Sequence, residues 1–318
     1  AKFPSLDIIY DDGLAIVDTL PKFSGHSLVL SGQIGVDFYV EIPDGTDTSG
    51  AYAEFTINGK TGNPAMLSNA EYKGGNEYMF TCYINSIQMA DKITATFHYG
   101  DESITEEYRA KDYLDTVLAS CDEYSDELLK LVKAIKDFGH YVQPPLAHNN
   151  GWEIGVDYAE MDCENPDIAA DSADIMTALD DYAMSGDIKA SGIASMMIDL
   201  ELDSETTLNV YLVPSDDYAG NVCAYLGESG ENMAVKQNDG TYRITISGIS
   251  AHKLGDAYTI HVDAGGEFDV EVSALSYADA VMNSKRADDE LKKAVIALYK
   301  YYTATIDYRA SDEYSAGE

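Results

Sequence analysis

The feature that most constrains this chain is that it repeats itself. Unlike segments recur in a fixed order at nearly constant separation, which marks two copies of one structural unit. Gly35-Val-Asp-Phe-Tyr-Val40 returns as Thr207-Leu-Asn-Val-Tyr-Leu212, and Tyr78-Met-Phe-Thr81 returns as Tyr242-Arg-Ile-Thr245. The segment from Ile84 to Asp91 parallels Ile249 to Asp256 at an offset of 165 residues. Tyr113 then matches Tyr277 at 164, and Asp126-Glu-Leu128 matches Asp289-Glu-Leu291 at 163. Offsets that drift so little leave room for few insertions.

Within each copy the apolar period changes from two to 3.6, as it does where strands give way to helices. The early part alternates and is punctuated by Asp44-Gly45, Asn58-Gly59, Gly74-Gly75-Asn76, Asn238-Asp239-Gly240 and Gly265-Gly266, the chemistry of tight turns between antiparallel strands. The late part carries two helical stripes. Ala110, Tyr113, Leu114, Val117, Leu118 and Cys121 share one face, with Ala274, Tyr277, Ala278 and Val281 as their counterparts. Leu128, Leu131, Val132, Ile135 and Phe138 form the next stripe, mirrored by Leu291, Ala294, Val295, Leu298 and Tyr301. Ser125 or Asp126, and Asp288 or Asp289, are placed to cap these second helices.

The expected fold is therefore α+β and mainly β: two antiparallel β-sandwich-like units, each followed by a helical pair. Residues 1–145 form the first unit, which Pro144-Pro145 is expected to close, and 196–308 form the second. The connecting segment 146–195 carries a further helix near Asp167 to Ala183, and 309–318 reads as an acidic tail. Tyr113 with Tyr277, and Tyr39 with Tyr211, recur at equivalent positions and are expected to be core.

Charge narrows the partners. Lys and Arg total 20 against 56 Asp and Glu, a formal charge of -36, so no clustered cations exist to displace counterions from a phosphate backbone. Nucleic acid and anionic membrane are not expected as partners, and no apolar run reaches the ~20 residues that span a bilayer. Such a surface suits a soluble secreted or cell-surface protein, mature or trimmed at Ala1. Cys82, Cys121, Cys163 and Cys223 are too widely spaced for a C-x-x-C or zinc pattern, so buried free thiols are the default and one or two bridges stay open.

Catalytic motifs are missing. Gly25-His-Ser-Leu-Val29 lacks the last glycine of a nucleophile elbow, and Gly59-Lys-Thr61 has Glu54 where a P-loop needs its first glycine. His26, His98, His140, His148, His252 and His261 form no ligand pair at helical spacing. With 56 carboxylates, pairs at glycosidase separation arise by accident and argue nothing for hydrolysis. The chain is read as non-enzymatic and without a cofactor. A structural calcium ion at turn carboxylates such as Asp44, Asp47, Asp263 and Asp269 is the one exception left open, and solvated carboxylates are the simpler account.

The string Ser27-Leu-Val-Leu-Ser-Gly-Gln-Ile-Gly-Val-Asp-Phe-Tyr39, with Tyr108-Arg-Ala-Lys-Asp-Tyr-Leu-Asp115 and Glu127-Leu-Leu-Lys-Leu-Val-Lys-Ala134, resembles a tandem module of extracellular proteins from gut Firmicutes. Such modules occur in cellulosome-like and amylosome assemblies, and the chain is similar to the starch-adherence proteins among them. That resemblance implies non-catalytic binding of starch or maltooligosaccharides, with attachment to a scaffold through sequence outside these residues. An adhesion or assembly module that contacts a protein is the alternative.

Sugar rings are held by aromatic faces against their C–H patches, with carboxylates and amides on the hydroxyls. Trp152, the single tryptophan, lies in an Asn- and Gly-rich stretch outside both copies and is read as the platform, with Tyr158 as second aromatic and Asn149, Asn150, Glu153 and Asp157 as hydroxyl partners. The competing reading is a tryptophan that plugs the junction between the units. Tyr10 and Tyr52, in turn-like surroundings, form a secondary group.

Overall fold

The computed structural model describes residues 20–29, 34–84, 88–150, 172–189, 191–202, 206–228 and 230–311. In chain order the first copy contains β1 (Lys22–Val29), β2 (Gly35–Glu41), β3 (Tyr52–Ile57), β4 (Lys60–Thr61), β5 (Ala65–Met66), β6 (Glu71–Gly74), β7 (Glu77–Tyr83), β8 (Ile93–Tyr99) and β9 (Glu102–Tyr108). Helices α1 (Ala110–Ala119), α2 (Asp126–Tyr141), α3 (Gln143–Asn150) and α4 (Ser172–Leu179) follow. The second copy contains β10 (Ser185–Gly186), β11 (Ile193–Leu202), β12 (Thr206–Pro214), β13 (Cys223–Leu226), β14 (Val235–Lys236), β15 (Tyr242–Ile246), β16 (Tyr258–Asp263) and β17 (Glu267–Val272), then α5 (Ala274–Asn283) and α6 (Asp289–Arg309). The architecture is α+β, mainly β, with four antiparallel sheets and helices after each group of strands.

The sheets come in matching orders. β1-β2-β7-β6 in the first copy corresponds to β11-β12-β15-β14 in the second, and β3-β8-β9 corresponds to β13-β16-β17. Individual backbone bonds repeat with them. Ile84 donates to the Ile34 carbonyl at 2.9 Å, and Ile249 to that of Thr206 at 3.1 Å. Lys111 donates to Met89 at 2.9 Å, and Leu275 to Leu254 at 3.0 Å, so each α-hairpin is tied to its sandwich by the same bond. The copies differ at their edges. β4 and β5 extend the first copy along β3, whereas β10 adds to the second along β17.

Local chemistry explains the elements. β8 alternates strictly between buried and half-buried residues, placing Ile93, Ala95, Phe97 and Tyr99 inward and Thr94, Thr96 and His98 outward. The β3–β4 connection is the two-residue Asn58-Gly59 turn, both residues at positive φ (51° and 74°), the geometry that matches strand twist in a hairpin. Across the first sandwich, Phe38 meets Phe55 at 5.6 Å and Phe80 meets Phe97 at 5.7 Å between ring centroids.

Tyr39 and Tyr211 depart from expectation. Both are only half-buried, because they alternate with the inward Val36, Phe38 and Val40, or Leu208, Val210 and Leu212. Tyr113 and Tyr277 are half-buried too, and do pack against the core. Helix α3 runs on through Pro144-Pro145, which its first turn accommodates because the amides missing there have no intrahelical partner anyway. Of the helix expected near Asp167 to Ala183, α4 and a 3-10 turn over Asp180–Tyr182 are seen, and 167–171 lie outside the described residues.

Of two hydrophobic clusters among the described residues, the smaller lies within the first sandwich around Phe80 and Phe97, and the larger spans both copies. It passes through α2 and α6, which pack together and stack Phe138 on Tyr301 at 5.4 Å and 23°. Cys82 is buried, and burial pushes its thiol up to about 12. Cys121 and Cys223 are free and exposed: Cys121 falls in a 3-10 turn just past α1, and Cys223 faces outward at the start of β13. Cys163 lies outside the described residues. Among the described residues no helix is long and apolar enough to cross a membrane.

Candidate functional site

The sequence-predicted site divides sharply. Trp152, Glu153, Asp157, Tyr158 and Tyr10 lie outside the described residues, and Asn149 and Asn150 end α3. Tyr52 is the member that the structure places in a defined setting, and it is a strand residue rather than part of a turn. It begins β3, whose register sets it between Met66 of β5 and His98 of β8. Directly opposed residues of antiparallel strands share a face, so Met66, Tyr52, His98 and Ser103 form one row across four strands.

The row is built around a ring stack. Tyr52 and His98 lie 4.6 Å apart between centroids at 19°, and Nε2 of His98 is 3.0 Å from Oε1 of Glu54. Both ends of that contact are about one-third exposed, so it fixes ring orientation more than it stabilises the fold. The adjoining rows are hydroxyl-rich. Thr96 opposes Thr105 with oxygens 3.3 Å apart, and Thr56 opposes Thr61 with oxygens 2.8 Å apart. The outer face of this sheet therefore presents two stacked rings, a carboxylate and a field of threonine hydroxyls.

A cleft of about 450 Å³ opens beside the row. Gly50, Ala51 and Met66, the two residues before Tyr52 and its partner across the ladder, form one wall, and Ser68, Thr48 and Tyr78 form others. Tyr78 is joined by the exposed Tyr72, ring centroids 5.2 Å apart. The volume falls in the range of small-ligand sites, and the lining mixes aromatic, apolar and hydroxyl groups.

His98, Glu54, Tyr72 and Tyr78 were missed in the sequence because nothing local links them: His98 is 46 residues from Tyr52. The available signal was the alternation Ile93-Thr-Ala-Thr-Phe-His98, which places its polar members on one solvent-facing side.

A second concavity, about 370 Å³, lies between α2 and α6, with Ala134 and Ala304 in its lining and Lys130, Lys133, Lys136 and Lys300 around them. Lys136 is held by Asp115 at 2.8 Å, and Lys111 reaches the same carboxylate at 2.5 Å. Burial alone would raise the Asp115 carboxyl, but the hydrogen bonds from these two lysines outweigh it and hold it below its usual range. These contacts brace α1 against α2 at the junction of the copies.

Of the four carboxylates considered for calcium, Asp263 and Asp269 fall in β16 and β17 rather than in turns, and Asp44, Asp47 and Asp269 are engaged by protein groups. Asp47 accepts from the amide of Ser49 at 3.0 Å, Asp44 from the side chain of Asn76 at 3.2 Å, and Asp269 lies 2.6 Å from His261. Among the described residues no three His, Cys, Asp or Glu side chains converge as a metal site.

No family model matches this chain, and no curated protein matches it in sequence. Solved structures similar to it include a chimeric titin Z1Z2-Z1Z2 tandem functionalized with a GRGDS peptide from fibronectin, at 9% identity and a TM-score of 0.19, covering 80% of this chain and 98% of that one. Another is an ICAM-5 D1-D4 ectodomain fragment, at 8% identity and a TM-score of 0.19, covering 79% of this chain and 53% of that one. Likenesses at that level carry no functional argument.

Proposed function

We propose that this chain binds a neutral polysaccharide without cleaving it, an α-glucan such as starch or maltooligosaccharides, as part of an extracellular or cell-surface assembly. The observation that carries the reading is the outer sheet face of the first copy. There the Tyr52–His98 stack, Glu54 and the neighbouring hydroxyls share one face, and Met66, which opposes Tyr52 in the ladder, also lines an adjacent cleft together with Tyr78. Aromatic rings cover the apolar side of a sugar, and fixed carboxylate and hydroxyl oxygens bond its hydroxyls. The acidic surface supports a neutral ligand, because a formal charge of -36 repels polyanions. The joining segment with Trp152, Tyr158, Asn149, Asn150, Glu153 and Asp157 has the same chemistry and remains part of the proposal.

Affinity electrophoresis in gels cast with starch, other neutral glucans or an anionic polysaccharide tests the class. The parent is expected to be retarded by starch and not by the anionic gel. Tyr52→Ala and Trp152→Ala should each weaken retardation about tenfold, roughly 1.4 kcal/mol of binding. A parent that runs unretarded through every neutral glucan overturns the reading.

A further inference from the structure

The second copy carries a constellation of the same kind. Tyr225 on β13 opposes His261 on β16, which opposes Asp269 on β17, one row across three strands. The Tyr225 and His261 rings are 5.2 Å apart at 37°, and Nδ1 of His261 lies 2.6 Å from Oδ1 of Asp269. As in the first copy, a tyrosine and a histidine lie ring against ring on neighbouring strands, and a carboxylate hydrogen-bonds the imidazole. Both trios stand on the outer face of the corresponding sheet, since Ala224, Ile260, Val262 and Val270 occupy the inner face.

The trios are not at equivalent positions. The register that aligns β8 with β16 sets His261 against Thr96, Tyr225 against Glu54, and Asp263 against His98. The ring pair has moved one row, two residues along each strand, which keeps it on the same face, and its carboxylate comes from β17 where the first copy uses Glu54 of β3. A packing solution inherited from the duplication would have stayed in place. Its stabilising value is also small, for His261 and Asp269 are 33% and 59% exposed. The face around it holds Asp263, Glu267 and Glu271, which disfavours an anionic ligand.

We infer that the second copy has its own glycan site, built on Tyr225, His261 and Asp269, so that the chain binds one polysaccharide in at least two places. The inference rests on the carbohydrate reading above. Two linked sites raise retention on a polymer well beyond that of either alone, while a short oligosaccharide sees them as independent.

Titration calorimetry with maltoheptaose counts the sites. Tyr225→Ala should lower the number of sites by one and leave the affinity of the rest unchanged, and Tyr225→Phe, which keeps the ring, should retain the site. Asp269→Asn should weaken it several-fold with an unchanged melting profile. On insoluble starch, Tyr225→Ala should lose ten-fold or more in retention, and Tyr52→Ala with Tyr225→Ala should lose more than either. A parent that binds maltoheptaose with the same site number and starch retention as Tyr225→Ala overturns the second site and leaves the carbohydrate reading standing. No heat with any neutral glucan overturns both.

Discussion

Asp37 shows how a single buried polar residue records the duplication. It accepts from Thr81 at 2.6 Å and from Ser27 at 3.4 Å, and its counterpart in the second copy is Asn209, which accepts from Thr245 at 2.8 Å and donates to Glu201 at 2.8 Å. Burial pushes the Asp37 carboxyl above its ordinary range, against the pull of those two hydroxyls. A carboxyl that binds its proton more tightly when folded helps the fold most below the ordinary aspartate range, and that help is lost as pH rises through the raised value. Asp37→Asn, which copies the second unit, removes the loss. The variant should exceed the parent in stability by about 1 kcal/mol at pH 7, and the gap should close near pH ~3. Urea unfolding followed by circular dichroism at the two pH values checks this. A gap that persists in acid would place the effect outside the ionisation of Asp37.

Elements were legible in proportion to how local their signals are. Ser125 and Asp288 each stand one residue before an acidic first turn, and each accepts the amide three residues on, at 3.1 and 2.8 Å. The sequence narrows each cap to two adjacent candidates, and the structure selects Ser125 over Asp126 and Asp288 over Asp289. Ser273 could not be named from the sequence, because its partner is Ser276 rather than the usual Glu or Gln: Ser276 donates its amide to Ser273 at 3.2 Å, and Ser273 returns its own to the Ser276 hydroxyl at 2.9 Å. Helix α1 begins at Arg109 with no side-chain cap at all. Ser273→Ala should therefore cost about 1 kcal/mol in urea unfolding, whereas Arg109→Ala should cost little through capping. Equal losses would deny the box its role. Cross-strand facts were the least legible. That Tyr52 meets His98, or that Tyr225 meets His261, depends on register, and register is set by turns and burial far from either residue.

For the whole molecule, the decisive fact is where the core runs. The repeat suggests two separable units, yet α2 of the first copy and α6 of the second share one apolar interior, with Leu131, Ile135 and Phe138 fully or almost fully buried beside Ile296, Leu298 and Tyr301. Each helical pair thus buries a face against the other copy as well as against its own sandwich, which binds the stability of the copies together. Phe138→Ala tests the coupling, since it removes the ring stacked on Tyr301 and leaves a cavity between the copies. A loss of roughly 3–5 kcal/mol is expected, in a transition that remains single. Amide exchange should accelerate together in β8 and β16, strands of different copies. Protection lost in the first copy alone would show two independently stable units joined by a helix pair.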